Sequence, residues 1–116
     1  MLSVILTLSS FDLTVEEILG AIRKGDAISM SRHFDSLVEI TVSEKSYSYS
    51  RTQAEIVLRD FFATHTVRNF TMLHKSSSND TEYYVGTLNT SRGEFRTTVL
   101  VKYRGDKKLV QELRFE

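Results

Sequence analysis

Residues 94–104 read EFRTTVLVKYR, and the predicted sheet of this chain is built around this stretch. Apolar and β-branched side chains alternate with polar ones, a period of two that predicts a strand with one buried and one solvated face. The predicted inward face consists of Phe95, Thr97, Val99, Val101 and Tyr103. The rest of the chain is therefore interpreted as the remainder of a sheet and the helices that cover it.

Residues 67–116 contain three further strand patterns around this one and no helical period. The strands are separated by short turn sequences, SSSND at 76–80, SRG at 91–93 and RGDK at 104–107. Glycine, serine, asparagine and aspartate favour such turns because they tolerate the backbone angles that tight reversals need. Connections this short force neighbouring strands to run antiparallel, which predicts a four-strand meander at the end of the chain.

Gly86 lies in the middle of a predicted strand. A glycine there weakens the strand and is typical of a bulge or a sharp bend. We expect the sheet to curl at this position, and the concave side of a curled sheet is a common place for a small molecule to bind.

Three helices and one small hairpin are predicted before the meander. The helices are residues 14–25, 27–33 and 50–65, and the hairpin strands are residues 37–43 and 45–49. Thr14 with Glu17, and Ser50 with Gln53, have the spacing of a capping box at a helix start. The third helix carries a broad apolar stripe that must lie on the sheet: Ala54, Val57, Leu58, Phe61 and Phe62.

The chain has 116 residues, of which 41% are hydrophobic and 26% are charged, a composition typical of one globular domain. Fifteen basic and fifteen acidic residues give a net charge of zero, and this balance argues against a nucleic-acid partner. Without cysteine there is no disulfide or thiolate chemistry. Residues 1–10 are an apolar extension, too short to span a membrane, which is either packed on the domain or the remnant of a signal peptide. Residues 11–116 form the predicted domain.

The order of elements resembles the nuclear transport factor 2-like superfamily, a cone-shaped α+β fold that includes the ketosteroid isomerases and is also called cystatin-like. The matching residues are 17–26, 33–35 and 52–62. A family of small bacterial proteins of this fold, known only as a domain of unknown function, is similar in residues 54–62, 74–77, 86–88 and 110–114. The resemblance implies three helices on a curved antiparallel sheet, a homodimer formed through the sheets, and a periplasmic or exported location.

The positions of the isomerase catalytic set carry apolar residues in this chain. Under the resemblance, the tyrosine, the base and the donor aspartate of the isomerases fall on Ile18, Val42 and Val101. Isoleucine and valine neither transfer protons nor donate hydrogen bonds to an enolate. No metal-ligand spacing, nucleophile motif or phosphate loop occurs either. We predict no catalytic residue, no metal and no cofactor.

Four residues are predicted to bind a ligand: His74, Tyr84, Glu112 and Arg114. His74 alternates with Phe70 and Met72, which predicts that it faces the cavity of the sheet. Tyrosine suits a half-wet site because its ring is apolar and its hydroxyl is polar. Hydrophobicity alone turns Glu112 and Arg114 outward together with Val110, whereas the isomerase resemblance puts Glu112 in the pocket, and the sequence leaves both alternatives open.

The sequence therefore predicts a non-catalytic domain that binds a small apolar ligand or a protein partner in a concave pocket. The alternative is an enzyme of the isomerase or dehydratase type with an atypical catalytic set. Two or more titratable groups within hydrogen-bond reach of one cavity would favour the enzyme.

Overall fold

The computed structural model describes residues 10–116, and side chains from residue 13 onward. The predicted extension at residues 1–10 therefore lies almost wholly outside the described residues. The elements in chain order are α1 (Ser10–Lys24), α2 (Ala27–Ser31), β1 (Phe34–Val42), β2 (Lys45–Ser50), α3 (Arg51–Thr64), β3 (Val67–Ser78), β4 (Thr81–Thr90), β5 (Gly93–Arg104) and β6 (Lys107–Phe115).

The six strands form one curved sheet in the order β2-β1-β6-β5-β4-β3. The predicted four-strand meander is confirmed as β3 to β6, and each of its neighbouring strands pairs antiparallel. The pairing of β1 with β6 is parallel, so the sheet is not antiparallel throughout, as the resemblance had implied. The fold is α+β, as predicted, with helices over the concave side of the sheet.

Of the two predicted capping boxes, the one at Ser50 is confirmed and the one at Thr14 is not. Ser50 caps α3, and its hydroxyl accepts from the Gln53 amide while the Gln53 side chain accepts from the Ser50 amide. The capping box expected at Thr14 is wrong, because α1 begins at Ser10 and Thr14 lies inside the helix. On α2, Ile28 faces away from the core, since this side chain is 55% exposed.

The core lies between the concave face of the sheet and the helices α1 and α3. At one end, α3 places Phe61 against Phe115, with ring centroids 4.4 Å apart, and against Phe95 at 5.5 Å. α1 contributes Ile18 and Ile22, which are both almost fully buried. Because α1 contacts β3 and β6 while α3 packs mainly on α2 and β1, α1 is the helix that bounds the space above the meander.

Three register shifts interrupt the meander, at Arg68, Leu73 and Gln111, and the last two change which side chains of the site face the core. In β3, Met72 pairs with Gly86 and His74 with Val85, so Leu73 is an extra residue. In β6, Val110 pairs with Val101 and Glu112 with Leu100, so Gln111 is an extra residue. A bulge of one residue reverses the faces of every side chain beyond it.

The lack of a side chain at Gly86 allows β3 to lie close to β4 at the bulge. A Cβ on this residue would lie 2.5 Å from Cζ of Phe70 and 2.6 Å from the Thr71 carbonyl oxygen. The Phe70 ring therefore occupies the space that a side chain would need. The bend expected at Gly86 coincides with the bulge of its partner strand.

The bulge in β6 is held by a buried carboxylate. Asp35 is part of β1, and its side chain is 8% exposed. Its Oδ2 accepts from Nε2 of Gln111 at 2.9 Å and from Nε of Arg104 at 2.7 Å. Burial alone would raise the pKa of Asp35, but these two hydrogen bonds outweigh it and lower the pKa from 3.8 to about 2.

Candidate functional site in the concave face

A cleft opens on the concave side of the sheet where α1 passes over β3 and β4. Its volume is about 370 Å³, within the range of roughly 300 to 1,000 Å³ that is typical of ligand sites. We call it the concave cleft, and its lining consists of Val15, Glu16, Leu19, Arg23, Met72, Lys75 and Tyr84. Apolar side chains form its floor, and three charged side chains stand around it.

Four polar side chains meet beneath this cleft and form what we call the buried polar cluster: Glu82, Tyr84, Tyr103 and Lys108. Both tyrosine hydroxyls donate to the Glu82 carboxylate, one to each oxygen. The Lys108 ammonium lies 2.6 Å from Oε1 of Glu82, and both of these side chains are at most 5% exposed. Such a pair is tolerated inside a protein only where hydrogen bonds satisfy the carboxylate.

Lys75 connects the buried polar cluster to the concave cleft. Its ammonium lies 3.6 Å from Oε2 of Glu82 and 5.5 Å from the centroid of the Tyr84 ring. The Lys75 side chain is 55% exposed, so it stands at the mouth of the cleft. Through Tyr84 and Lys75, a molecule in the cleft would contact the outer edge of the cluster.

The cluster is charged at neutral pH. Burial alone would raise the pKa of Glu82, but hydrogen bonds from Lys108, Tyr103 and Tyr84 outweigh it and lower the pKa from 4.5 to about 2. Burial alone would lower the pKa of Lys108, but its contact with Glu82 raises the pKa above the ordinary value. The carboxylate therefore stays ionised and the ammonium stays protonated.

Of the four residues predicted to bind a ligand, only Tyr84 lies in the concave face. His74 is exposed and pairs with Val85 on the outer face. The expected alternation with Phe70 and Met72 is wrong because the bulge at Leu73 intervenes. The same bulge turns Lys75 inward, opposite Tyr84.

Glu112 and Arg114 lie on the outer face of the sheet, where they pair with Leu100 and Thr98 of β5. Hydrophobicity therefore predicted their face correctly, and the placement from the isomerase resemblance is wrong. The expectation that Val110 accompanies them is also wrong, since the bulge at Gln111 turns Val110 into the core, where it is fully buried.

Glu112 has an acidic environment on that outer face. Burial and the nearby carboxylate of Glu39 raise the pKa of Glu112, and Glu116 makes a smaller contribution in the same direction. The Arg114 guanidinium partly offsets this rise, since its Nε lies 3.6 Å from the Glu112 carboxylate.

A second depression of about 490 Å³ lies between α1 and α2. It is larger than the concave cleft, but it is bounded mainly by the exposed helix side chains. An ion pair joins His33 to Glu17 at 3.1 Å in its lining, and Glu17 is well exposed. Leu13, Gly20 and Ala21 give this depression apolar surface as well, but none of its lining residues belongs to the sheet or to the buried polar cluster.

Three residues of the site were not predicted from the sequence: Lys75, Glu82 and Lys108. A signal existed for Glu82, because an inward-facing glutamate in the strand TEYYV needs a buried partner. The partner was not identifiable, since Lys108 lies 26 residues away and turns inward only because the register of β6 permits it. Across residues 13–116, no group of three or more acidic or histidine side chains has the arrangement of a metal site.

The curved sheet, the helices over its concave face and the cleft between them define a protein of the nuclear transport factor 2-like class. Such a protein from Cytophaga hutchinsonii, of unknown function, is similar in structure, with a TM-score of 0.67 over 97% of this chain and 93% of that one at 6% identity. No helix among the described residues is both long and apolar enough to cross a membrane.

More narrowly, the chain belongs to the family described as "Domain of unknown function (DUF4783)", whose model matches residues 15–116. A member from Bacteroides uniformis has a TM-score of 0.83 and 23% identity, with 87% of this chain and 94% of that chain covered. A member from Bacteroides fragilis has a TM-score of 0.81 and 27% identity, with 85% and 93% covered. The comparison with curated proteins found no match.

Proposed function

We propose that this protein is a non-catalytic domain that binds a small, largely apolar molecule in the concave cleft. The observation that carries the proposal is the juxtaposition of apolar side chains, Val15, Leu19 and Met72, with the buried Tyr84 and the half-exposed Lys75 in one cleft. An apolar floor supplies affinity through burial, and a few placed polar groups supply orientation.

The concave cleft does bring titratable side chains together, Lys75 and Tyr84 beside Glu82, an arrangement that on its own would favour the enzyme. The protonation state of the buried polar cluster, however, favours binding over turnover. A general base works best when its pKa lies near the operating pH. The pKa of Glu82 is about 2, so its carboxylate is a poor proton acceptor. Lys108 is a correspondingly poor proton donor, because its pKa is raised. The cluster therefore serves as a rigid support for the cleft, and the apolar residues Ile18, Val42 and Val101 supply no substitute for an isomerase set.

The methyl group of Met72 can be used to test the proposal by NMR, because the chain contains three methionines in total and its methionine methyl spectrum is therefore simple. With methyl-labelled methionine, a neutral probe such as 1-octanol should shift the Met72 methyl resonance and leave that of the buried Met30 unchanged. Met72→Trp should fill the cleft and weaken octanol binding, measured by ligand-observed NMR, by tenfold or more.

The matched control is Ile56→Trp, which places the same side chain on an exposed residue of α3 that does not line the cleft. This variant should bind octanol as the parent does. Equal binding by the two tryptophan variants, or no shift of the Met72 methyl, would contradict a ligand site in the cleft.

We further propose that two copies of the chain associate through the outer face of the sheet. This face presents Leu73, which is 58% exposed, and Tyr83, which is 40% exposed, beside the half-buried Leu100. An apolar patch on a sheet face is typical of an association surface, and one face meeting its own copy gives a closed two-fold dimer. His74, Glu112 and Arg114 lie on this face and would contact the partner.

Sedimentation velocity on Leu100→Arg tests this arrangement, because a charge at the centre of the face should leave the protein monomeric. Ile56→Arg is the control, since Ile56 is 47% exposed but lies on α3. A monomeric parent at high micromolar concentration would refute the dimer.

A further inference from the structure

We infer that the molecule bound in the concave cleft is an amphipathic monoanion, with a carboxylate held at the rim by Lys75 and Arg23. The inference rests on the proposed function and goes one step further, to the chemical class of the ligand. It follows from the distribution of charge around the cleft and from the apolar character of its floor.

The rim of the cleft has two edges. On α1, Glu16, Leu19 and Arg23 follow one another at helical spacing and form the first edge. On β3, Met72 and Lys75 form the second, because the bulge at Leu73 puts both on the concave side. Each edge therefore combines an apolar side chain with a cation.

The charges of the cleft and of the cluster leave a surplus of one positive charge. The cations are Arg23, Lys75 and Lys108, and the carboxylates are Glu16 and Glu82. Glu82 is already held by Lys108 at 2.6 Å, whereas Lys75 lies further away at 3.6 Å. The surplus charge is thus located at the half-exposed rim, where a ligand can reach it without displacing the buried ion pair.

A ligand with one negative charge matches this surplus. A carboxylate accepts hydrogen bonds from lysine and arginine, and its apolar body would lie against Leu19 and Met72. The volume of about 370 Å³ is near the lower end for ligand sites, which favours a compact body such as a medium-length alkyl chain or a single ring system.

The test compares three probes that share one alkyl chain: octanoate, 1-octanol and octylamine. Binding is followed through the Met72 methyl resonance at low salt. Octanoate should bind roughly 3- to 10-fold more tightly than octanol, since a charge-assisted contact at a half-exposed site is weaker than a buried one. Octylamine should bind most weakly, because its cation meets the surplus positive charge.

Charge-neutralising variants then test whether the preference for octanoate over octanol depends on the charged side chains at the rim of the cleft. Lys75→Gln and Arg23→Gln should each reduce the preference for octanoate over octanol, while Glu16→Gln should increase it. Lys107→Gln removes an exposed lysine at the start of β6 that does not line the cleft and should leave the preference unchanged. A purely structural effect of the substitutions would not produce opposite signs at Lys75 and Glu16.

The outcomes separate the two proposals. If octanol binds in the cleft and octanoate binds no better, or if octylamine binds most tightly, the anionic ligand is refuted and the binding cleft stands. If Lys107→Gln weakens octanoate as much as Lys75→Gln does, the preference comes from overall charge and the rim assignment fails. If none of the three probes shifts the Met72 methyl, both proposals fail.

Discussion

Replacing Glu82 by glutamine should destabilise the protein strongly, although the two side chains have nearly the same shape. The change removes the carboxylate that lies 2.6 Å from the Lys108 ammonium and accepts both tyrosine hydroxyls. The shift in the pKa of Glu82 from 4.5 to about 2 corresponds to roughly 3 kcal/mol of stabilisation of the ionised form. Loss of one partner of a buried ion pair costs about 3 to 5 kcal/mol.

The two figures agree, so the free energy of unfolding should fall by roughly 3 kcal/mol in urea melts at pH 7. That is a large part of the roughly 5 to 15 kcal/mol that stabilises most domains. Lys108→Met should also be destabilising, but the double variant should cost clearly less than the sum of the two, because it removes both charges. Single changes that each cost less than about 1 kcal/mol, or costs that simply add, would refute the reasoning.

Three further predictions concern stability. Phe61→Ala should cost about 3 to 5 kcal/mol in urea melts, the usual range for a core phenylalanine, and a loss under about 1 kcal/mol would show that the ring does not pack on Phe115. Gly86→Ala should lower the melting temperature, because its Cβ would meet the Phe70 ring at 2.5 Å; an unchanged value would contradict this contact. Stability should fall as the pH drops from about 5 towards 2, because Asp35 and Glu82 have folded-state pKa values of about 2, below their ordinary values of 3.8 and 4.5. Their stabilisation is complete above the ordinary values and is lost as the carboxylates protonate; a Glu82→Gln protein with the parent's acid profile would contradict it.

The sequence was sufficient for the order of the elements because each has a local signal. The alternation in EFRTTVLVKYR and the glycines at the turns specify the meander, and the Ser50 box specifies the start of α3. The start of α1 was misplaced because the box at Thr14 has a matching spacing but lies within a longer helix. Local sequence signals identify a helix, but they do not show which of two possible residues is its first.

The site was less accessible to sequence analysis because two single-residue bulges decide its chemistry. With regular alternation from Met72, His74 would face the cavity and Lys75 the solvent; the extra residue Leu73 exchanges them. Nothing in the letters FTMLHKS marks the bulge, since it depends on how β3 meets Gly86 and on the Phe70 ring that fills the space there.

The bulge at Gln111 acts in the same way on β6, and its cause lies in a third strand. Asp35 of β1 binds the Gln111 side chain and Arg104 together, which fixes the position of the extra residue relative to β5. From the turn at Gly105 to Val110 the pairing with β5 is regular and places Lys108 and Val110 on the concave side, and beyond the bulge Glu112 and Arg114 face outward. The cation that pairs with Glu82 is therefore positioned by the register of the β5–β6 hairpin. Because each bulge reverses the faces beyond it, the bulge at Leu73 places Lys75 rather than His74 at the cleft, and the bulge at Gln111 places Glu112 outside it.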